Sequence, residues 1–151
     1  MPAGSEPVAL PHTWRPFGVR LAGTVVGLGL LAVCAATWVG FDEETQARFT
    51  VLQRLTLVGF GLLAFALWFA LVRSRVVAEP ERLVVVNGYR RREYAWAQVV
   101  GVHLPPGAPW VTLDLADGST VSAMGIQGSD GSRAKQSVRE LRATVDRQTP
   151  R

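Results

Sequence analysis

The sequence predicts a two-helix transmembrane hairpin followed by a small α+β domain, a strongly bent antiparallel sheet or partial barrel capped by a C-terminal helix. Three observations carry that prediction. Two uncharged apolar runs, Leu21–Phe41 and Leu55–Val72, are 21 and 18 residues long and are separated only by the 13 residues Asp42–Arg54. From Val76 the continuous apolar pattern gives way to short alternating segments broken by Asn87-Gly88 and Asp117-Gly118. Near the end, Ala134, Val138, Leu141 and Val145 recur at helical spacing.

Taken in order, residues 1–16 carry four prolines (2, 7, 11 and 16) and little apolar periodicity, which predicts a flexible N-terminal tail. His12 stands alone in it and reads as solvated. Residues 17–72 are expected to hold both membrane helices, at about 21–41 and 55–72. A helix rises 1.5 Å per residue, so a bilayer core of about 30 Å needs about 20 apolar residues. Each run meets that length with no charge opposing insertion. A soluble core helix would keep a polar stripe, and neither run has one. Trp14 and Phe17 precede the first run, and Trp38 and Phe41 close it, as suits aromatic belts at the headgroups. Gly23 and Gly27 form a small-residue pair four apart, with Gly59, Ala66 and Ala70 on the second run, so the two helices are expected to pack closely through them. Cys34 sits inside the first run and reads as apolar filler. The connector begins Asp42-Glu43-Glu44 and is an exposed turn, with Phe49–Leu52 in the interface.

Residues 73–146 read as one small domain. Arg75–Ala78, Leu83–Val86, Tyr89–Trp96, Val99–Leu104, Trp110–Leu115 and Ser119–Met124 are strand candidates. Asn87-Gly88 as a two-residue loop would pair Val86 with Tyr89 and set Arg82 opposite Glu93. Pro105-Pro106-Gly107-Ala108-Pro109 breaks the chain, and Asp117-Gly118 makes a second tight turn. The final helix carries one apolar stripe, with Ser129, Asp130 or Ser132 available to cap its start. Residues 147–151 form a C-terminal tail.

Charge is distributed unevenly. Residues 1–72 hold four arginines against four acids, whereas residues 73–151 hold eleven arginines and one lysine against eight acids. Arg15, Arg20, Arg73, Arg75 and Arg82 flank the outer ends of the runs, against Arg48 and Arg54 between them. The positive-inside rule then predicts a multi-pass protein of the cell (plasma) membrane with both termini cytoplasmic.

The two runs, Val-Val-Asn-Gly-Tyr-Arg-Arg-Arg (85–92), Trp96-Ala97-Gln98-Val99, Leu113-Asp114-Leu115-Ala116-Asp117-Gly118 and the closing Arg-Glu-Leu-Arg (139–142) together resemble bacterial membrane proteins with a pleckstrin-homology-like (PH-like) domain, in particular the actinobacterial low molecular weight protein antigen 6 group. The resemblance implies a seven-stranded, strongly bent sheet capped by a C-terminal helix, without catalytic activity. Six strand candidates are visible, and the seventh is expected around Gly125–Gln127.

No phosphate-binding loop, dinucleotide-binding glycine pattern or Cys/His cluster appears, so neither a cofactor nor a metal is expected and the chain does not read as an enzyme. His103 alternates with Val102 and Leu104 in a strand, with no second group placed to orient it. One feature stands above background, Arg90-Arg91-Arg92. Alternation sends Arg90 and Arg92 to one face, where two guanidinium groups can take a phosphate. Arg82 is the nearest further basic residue, because Leu83–Val86 carries none where the family's fuller pattern has one. Trp96 and Trp110 border strand ends and are candidate partner contacts. No recognition helix or stacking platform accompanies the basic excess, so nucleic acid is not an expected partner. The sequence therefore points to a non-catalytic binding module at a membrane. Its expected role is a protein-interaction adaptor for other membrane proteins. The alternatives are a sensor of anionic lipid headgroups through Arg90 and Arg92, and an accessory subunit of a transport or enzyme complex.

Overall fold

The computed structural model describes residues 7–149. Two helices, α1 (Gly18–Gly40) and α3 (Val51–Arg73), account for the apolar runs. Each has 23 residues, about 35 Å at 1.5 Å per residue. Both are long and apolar enough to cross a membrane, and neither contributes a buried residue. Between them the connector folds into a short helix, α2 (Glu43–Arg48), capped by Asp42, whose carboxylate accepts from the Thr45 N–H at 3.1 Å. Thr50 and Gln53 form a capping box at the start of α3. Trp38, Phe41 and Phe49 cluster at this end of the hairpin, with the Arg54 guanidinium 5.3 Å from the Trp38 ring centroid.

Helix packing uses only half of the glycine pair. A Cβ at Gly23 would lie 2.8 Å from Trp68 Cδ1, so Gly23 is where the indole seats against α1. A Cβ at Gly27 would meet nothing within 4 Å, so no close approach of α3 requires a glycine there.

Seven strands form two antiparallel sheets that do not close into a barrel. The first has the order β1 (His12–Trp14), β2 (Arg75–Ala78), β3 (Arg82–Asn87), β4 (Arg90–Ala95). The second has the order β5 (Val99–His103), β6 (Trp110–Leu115), β7 (Thr120–Gln127). Helix α4 (Ser132–Gln148) caps them, burying Ala134, Val138, Leu141 and Val145 as its stripe requires. It also buries Thr144, whose hydroxyl donates to the Glu140 carbonyl at 2.8 Å. The shared core includes Trp14, Val76, Leu83, Val85, Trp96, Val111 and Leu113. Asp117 holds the β6–β7 turn by accepting from Ser119 Oγ and N, and these hydrogen bonds hold its carboxyl below the ordinary aspartate range.

The seventh strand is not where the sequence suggested. Gly125–Gln127 continues β7 past an irregularity in its pairing with β6. A Cβ at Gly125 would lie 2.5 Å from both Arg75 C and Val76 N, so this glycine lets β7 cross directly over the β2 backbone. The additional strand is β1, from ahead of the hairpin, with Trp14 opposite Val76 and His12 opposite Ala78. The predicted flexible tail is thus corrected. Trp14 is 5% exposed and its indole N–H donates to Glu140 at 3.0 Å, while Val8 and Leu10 pack on the core. Proline at 11 and 16 is compatible with a short edge strand, because that strand needs donors on one side only. Residues 1–6 of the expected tail lie outside the described residues, as do 150 and 151. The C-terminal tail is corrected too, since α4 runs through Gln148 and Arg147 donates to the Val8 carbonyl at 2.8 Å.

The apolar hairpin is therefore inserted between the first and second strands of one domain, and two junctions attach it. At the first, Asp130 accepts from the N–H groups of Phe17 (2.9 Å) and Gly18 (2.8 Å). The sequence offered Asp130 as a cap for α4. It caps α1 instead, and α4 starts at Ser132 behind the N-cap residue Gly131, without a side-chain cap. At the second junction only Ser74 separates α3 from β2. Ser74 is fully buried; its hydroxyl donates to the Ala70 carbonyl (3.0 Å) and accepts from the Gly88 N–H (2.9 Å).

Candidate functional site

The β3–β4 hairpin turns one residue later than the Asn87-Gly88 pair suggested. Asn87 pairs with Arg90 and Val86 with Arg91, leaving Gly88 and Tyr89 as the loop. Gly88 has φ +59°, and no residue other than glycine has a positive φ among those described. Glycine at the first loop position followed by an ordinary residue is the type II′ arrangement, which suits the strand twist. Arg82 consequently sits opposite Ala95, and it reaches Glu93 diagonally at 2.8 Å.

This register decides what each arginine does. Arg90 and Arg92 share a face of β4 with Tyr94, which is buried in the core. Moving toward the turn, that face opens from core to solvent. There it forms one wall of a groove of about 220 Å³, completed by Val85, Asn87 and residues 120–122 of β7. Asn87 holds the groove's base together, donating to the Ser122 carbonyl at 2.6 Å and accepting from the Met124 N–H at 2.9 Å. No acidic side chain lines it. Neither Arg90 nor Arg92 has a hydrogen bond or ion pair among the described residues. Arg91, on the opposite face, pairs with Glu93 at 2.7 Å.

Arg82 does not join them. It lies five residues along the strand from the turn, about 17 Å away, and bonds both Glu79 (2.7 Å) and Glu93. The hydrogen bond to Glu79, followed by the charges of Glu79 and Glu93, raises its pKa further above the ordinary range. Trp96 is also withdrawn as a partner contact. It is 5% exposed in the core, and its N–H donates to the Glu79 carbonyl at 3.1 Å. Trp110 is half-buried at the start of β6, opposite Gln127 and apart from the groove. His103 has a partner that the sequence did not suggest. Its Nε2 lies 2.6 Å from Asp114 Oδ2 across β5 and β6, with both side chains substantially exposed.

Sequence reasoning missed Tyr89. Its hydroxyl donates to the Ala66 carbonyl of α3 at 2.8 Å, and its ring centroid is 6.4 Å from that of Phe69. Ala66 is seven residues before the end of α3, so the turn reaches about 10 Å along the helix. The missed signal was a tyrosine in a turn immediately before three arginines, the residue type that sits where apolar and wet environments meet.

The family model for a bacterial PH domain matches residues 73–144. Two mycobacterial proteins, Uncharacterized protein Rv1417 of Mycobacterium tuberculosis and Uncharacterized protein Mb1452 of Mycobacterium bovis, are each 30% identical to the chain over 148 residues. The alignment covers 95% of this chain and 90% of each relative. The chain belongs to the bacterial PH domain family. No solved structure matches it at a significant level. The matched residues begin at the end of α3, so they leave out β1, which the structure adds to the domain from the other side of the hairpin.

Proposed function

We propose that this bacterial PH domain protein is a non-catalytic binding module anchored in the plasma membrane by α1 and α3, with both termini cytoplasmic. Its ligand is the anionic phospholipid headgroup, taken by Arg90 and Arg92. One observation carries this reading. Two unpaired guanidinium groups line an acid-free groove beside a turn that is hydrogen-bonded to the last turns of α3. If α3 crosses the bilayer, Tyr89 lies at the headgroup level and the arginines face phosphates. Anchoring keeps the effective headgroup concentration high, so weak contacts are sufficient.

The test uses the full chain in nanodiscs of zwitterionic lipid, with or without anionic phospholipid. Amide exchange across residues 85–92 and 120–124 should slow with anionic lipid, and salt should reverse the effect. Arg90→Gln/Arg92→Gln should abolish it. Exchange that ignores lipid charge even at low salt would sink the lipid reading. Orientation is checked by labelling: an impermeant thiol reagent added outside should reach Asp42→Cys and not Ser132→Cys. The pairing of β1 with β2 supports a common side for both flanks of the hairpin.

A second reading, the protein-interaction adaptor, is favoured by one feature. β4 is the edge of its sheet, open to strand addition by a partner. Crosslinking in the native membrane, followed by purification, would recover a partner joined through residues 90–95. The same experiment would identify a transport or enzyme complex that this chain serves as an accessory subunit.

A further inference from the structure

A second groove, of about 440 Å³, lies between β1, the first turn of α1 and the N-terminal half of α4. It touches β7 at Gly125 and Ile126, the opposite end of that strand from the Arg90–Arg92 groove. Arg15, Arg20 and Arg133 line it, together with His12 and two acids, Asp130 and Glu140.

Both acids are occupied by uncharged donors. The Asp130 oxygens accept from the N–H groups of Phe17 and Gly18. The Glu140 oxygens accept from the Trp14 indole (3.0 Å) and the Gln136 amide (2.9 Å). Among the described residues none of the three arginines has an ion pair; Arg133 lies over the Phe17 ring at 4.2 Å. The groove thus presents more positive than negative charge, and its guanidinium N–H donors are available for a planar or tetrahedral oxyanion. Phe17 lines it, and Leu21 follows four residues on along α1; they are 50% and 56% exposed. A ligand suited to both surfaces carries a phosphate joined to an apolar chain.

We propose that this groove holds the phosphate of an anionic phospholipid, bound by Arg15, Arg20 and Arg133 with the first acyl carbons against Phe17 and Leu21. Only the entry of α1 into a bilayer is taken over from the proposed function; Arg90 and Arg92 play no part. A lipid seated here touches β1, α1 and α4 together, the three elements that meet at the first junction.

The test is lipid retention by the full chain in detergent, read by native mass spectrometry with phosphatidylglycerol as the probe. Each basic side chain near a headgroup is worth about fivefold in affinity. Arg15 is exposed and has no ion pair among the described residues, so Arg15→Gln should weaken one bound lipid about fivefold without disturbing structure. The triple variant Arg15→Gln/Arg20→Gln/Arg133→Gln should weaken it about a hundredfold. Amide protection of Val76–Ala78 reports whether β1 still pairs. Arg90→Gln/Arg92→Gln should leave this lipid in place, which separates the two grooves whatever the fate of the other. Retention by Arg15→Gln and the triple variant equal to the parent would overturn the proposal. So would displacement of the lipid by inorganic phosphate that itself binds in an Arg15-dependent way, which would assign the groove to a free anion.

Discussion

The two ends of the apolar hairpin are attached to the domain in different ways. At the end of α3 the attachment is local: one serine links helix to strand, and its hydroxyl bonds a turn 14 residues away. At the start of α1 it is long-range: a carboxylate 112 residues on caps the helix, and a strand ahead of the helix pairs with one that follows the hairpin. The local junction follows almost from chain continuity. The long-range one depends on the domain already being folded, so damage to the domain should release α1 before α3.

That contrast can be broken by substitution. The largest effect is expected at Trp14→Ala, which empties a core site and removes the bond to Glu140. It should cost about 3–5 kcal/mol, read as a lower thermal midpoint in detergent, with rapid exchange appearing at residues 75–78. A loss below about 1 kcal/mol would mean that β1 is not integral to the domain. Next comes Gly125→Ala, whose Cβ would meet the β2 backbone. It should cost about 3 kcal/mol and loosen both junctions alike, because β2 adjoins each of them.

The two junction variants sharpen the comparison directly. Ser74→Ala leaves the Gly88 N–H without its partner and should cost about 1–3 kcal/mol, with faster exchange confined to the β3–β4 turn. Asp130→Ala removes the cap of α1 and should cost about 1–2 kcal/mol. Its exchange signature should fall on residues 17–20 and spare the turn. If both variants perturbed the same amides, the junctions would be one cooperative unit and the contrast would fail. Smallest of all, Tyr89→Phe removes a hydrogen bond from an exposed side chain, and the change should be about 0.5 kcal/mol. A much larger loss would show the turn to be a principal anchor.

Much of the architecture could be read before any coordinates. The uncharged runs became α1 and α3, and the stripe from Ala134 to Val145 became the buried face of α4. Alternation also put Arg90 and Arg92 on one face of a strand. The hairpin register was misread by one residue, since Asn87-Gly88 and Gly88-Tyr89 are both acceptable loops to local geometry. What favours the second is the Asn87 side chain joining β7 and the Gly88 N–H meeting Ser74. Arg82 and Trp96 were proposed as contacts because nothing local reveals that one is held by two acids and the other lies in the core.

Run length, alternation and helical spacing are properties of neighbours along the chain, so the hairpin, most strands and the capping helix were legible from residues alone. Only the folded molecule could decide that His12–Trp14 completes the sheet, that Asp130 caps α1, and that Arg15, Arg20 and Arg133 share a groove. The physical reason is sequence separation. Each of these depends on partners more than 60 positions away, and a three-residue strand between prolines has too little pattern to announce itself until the edge of β2 is there to receive it.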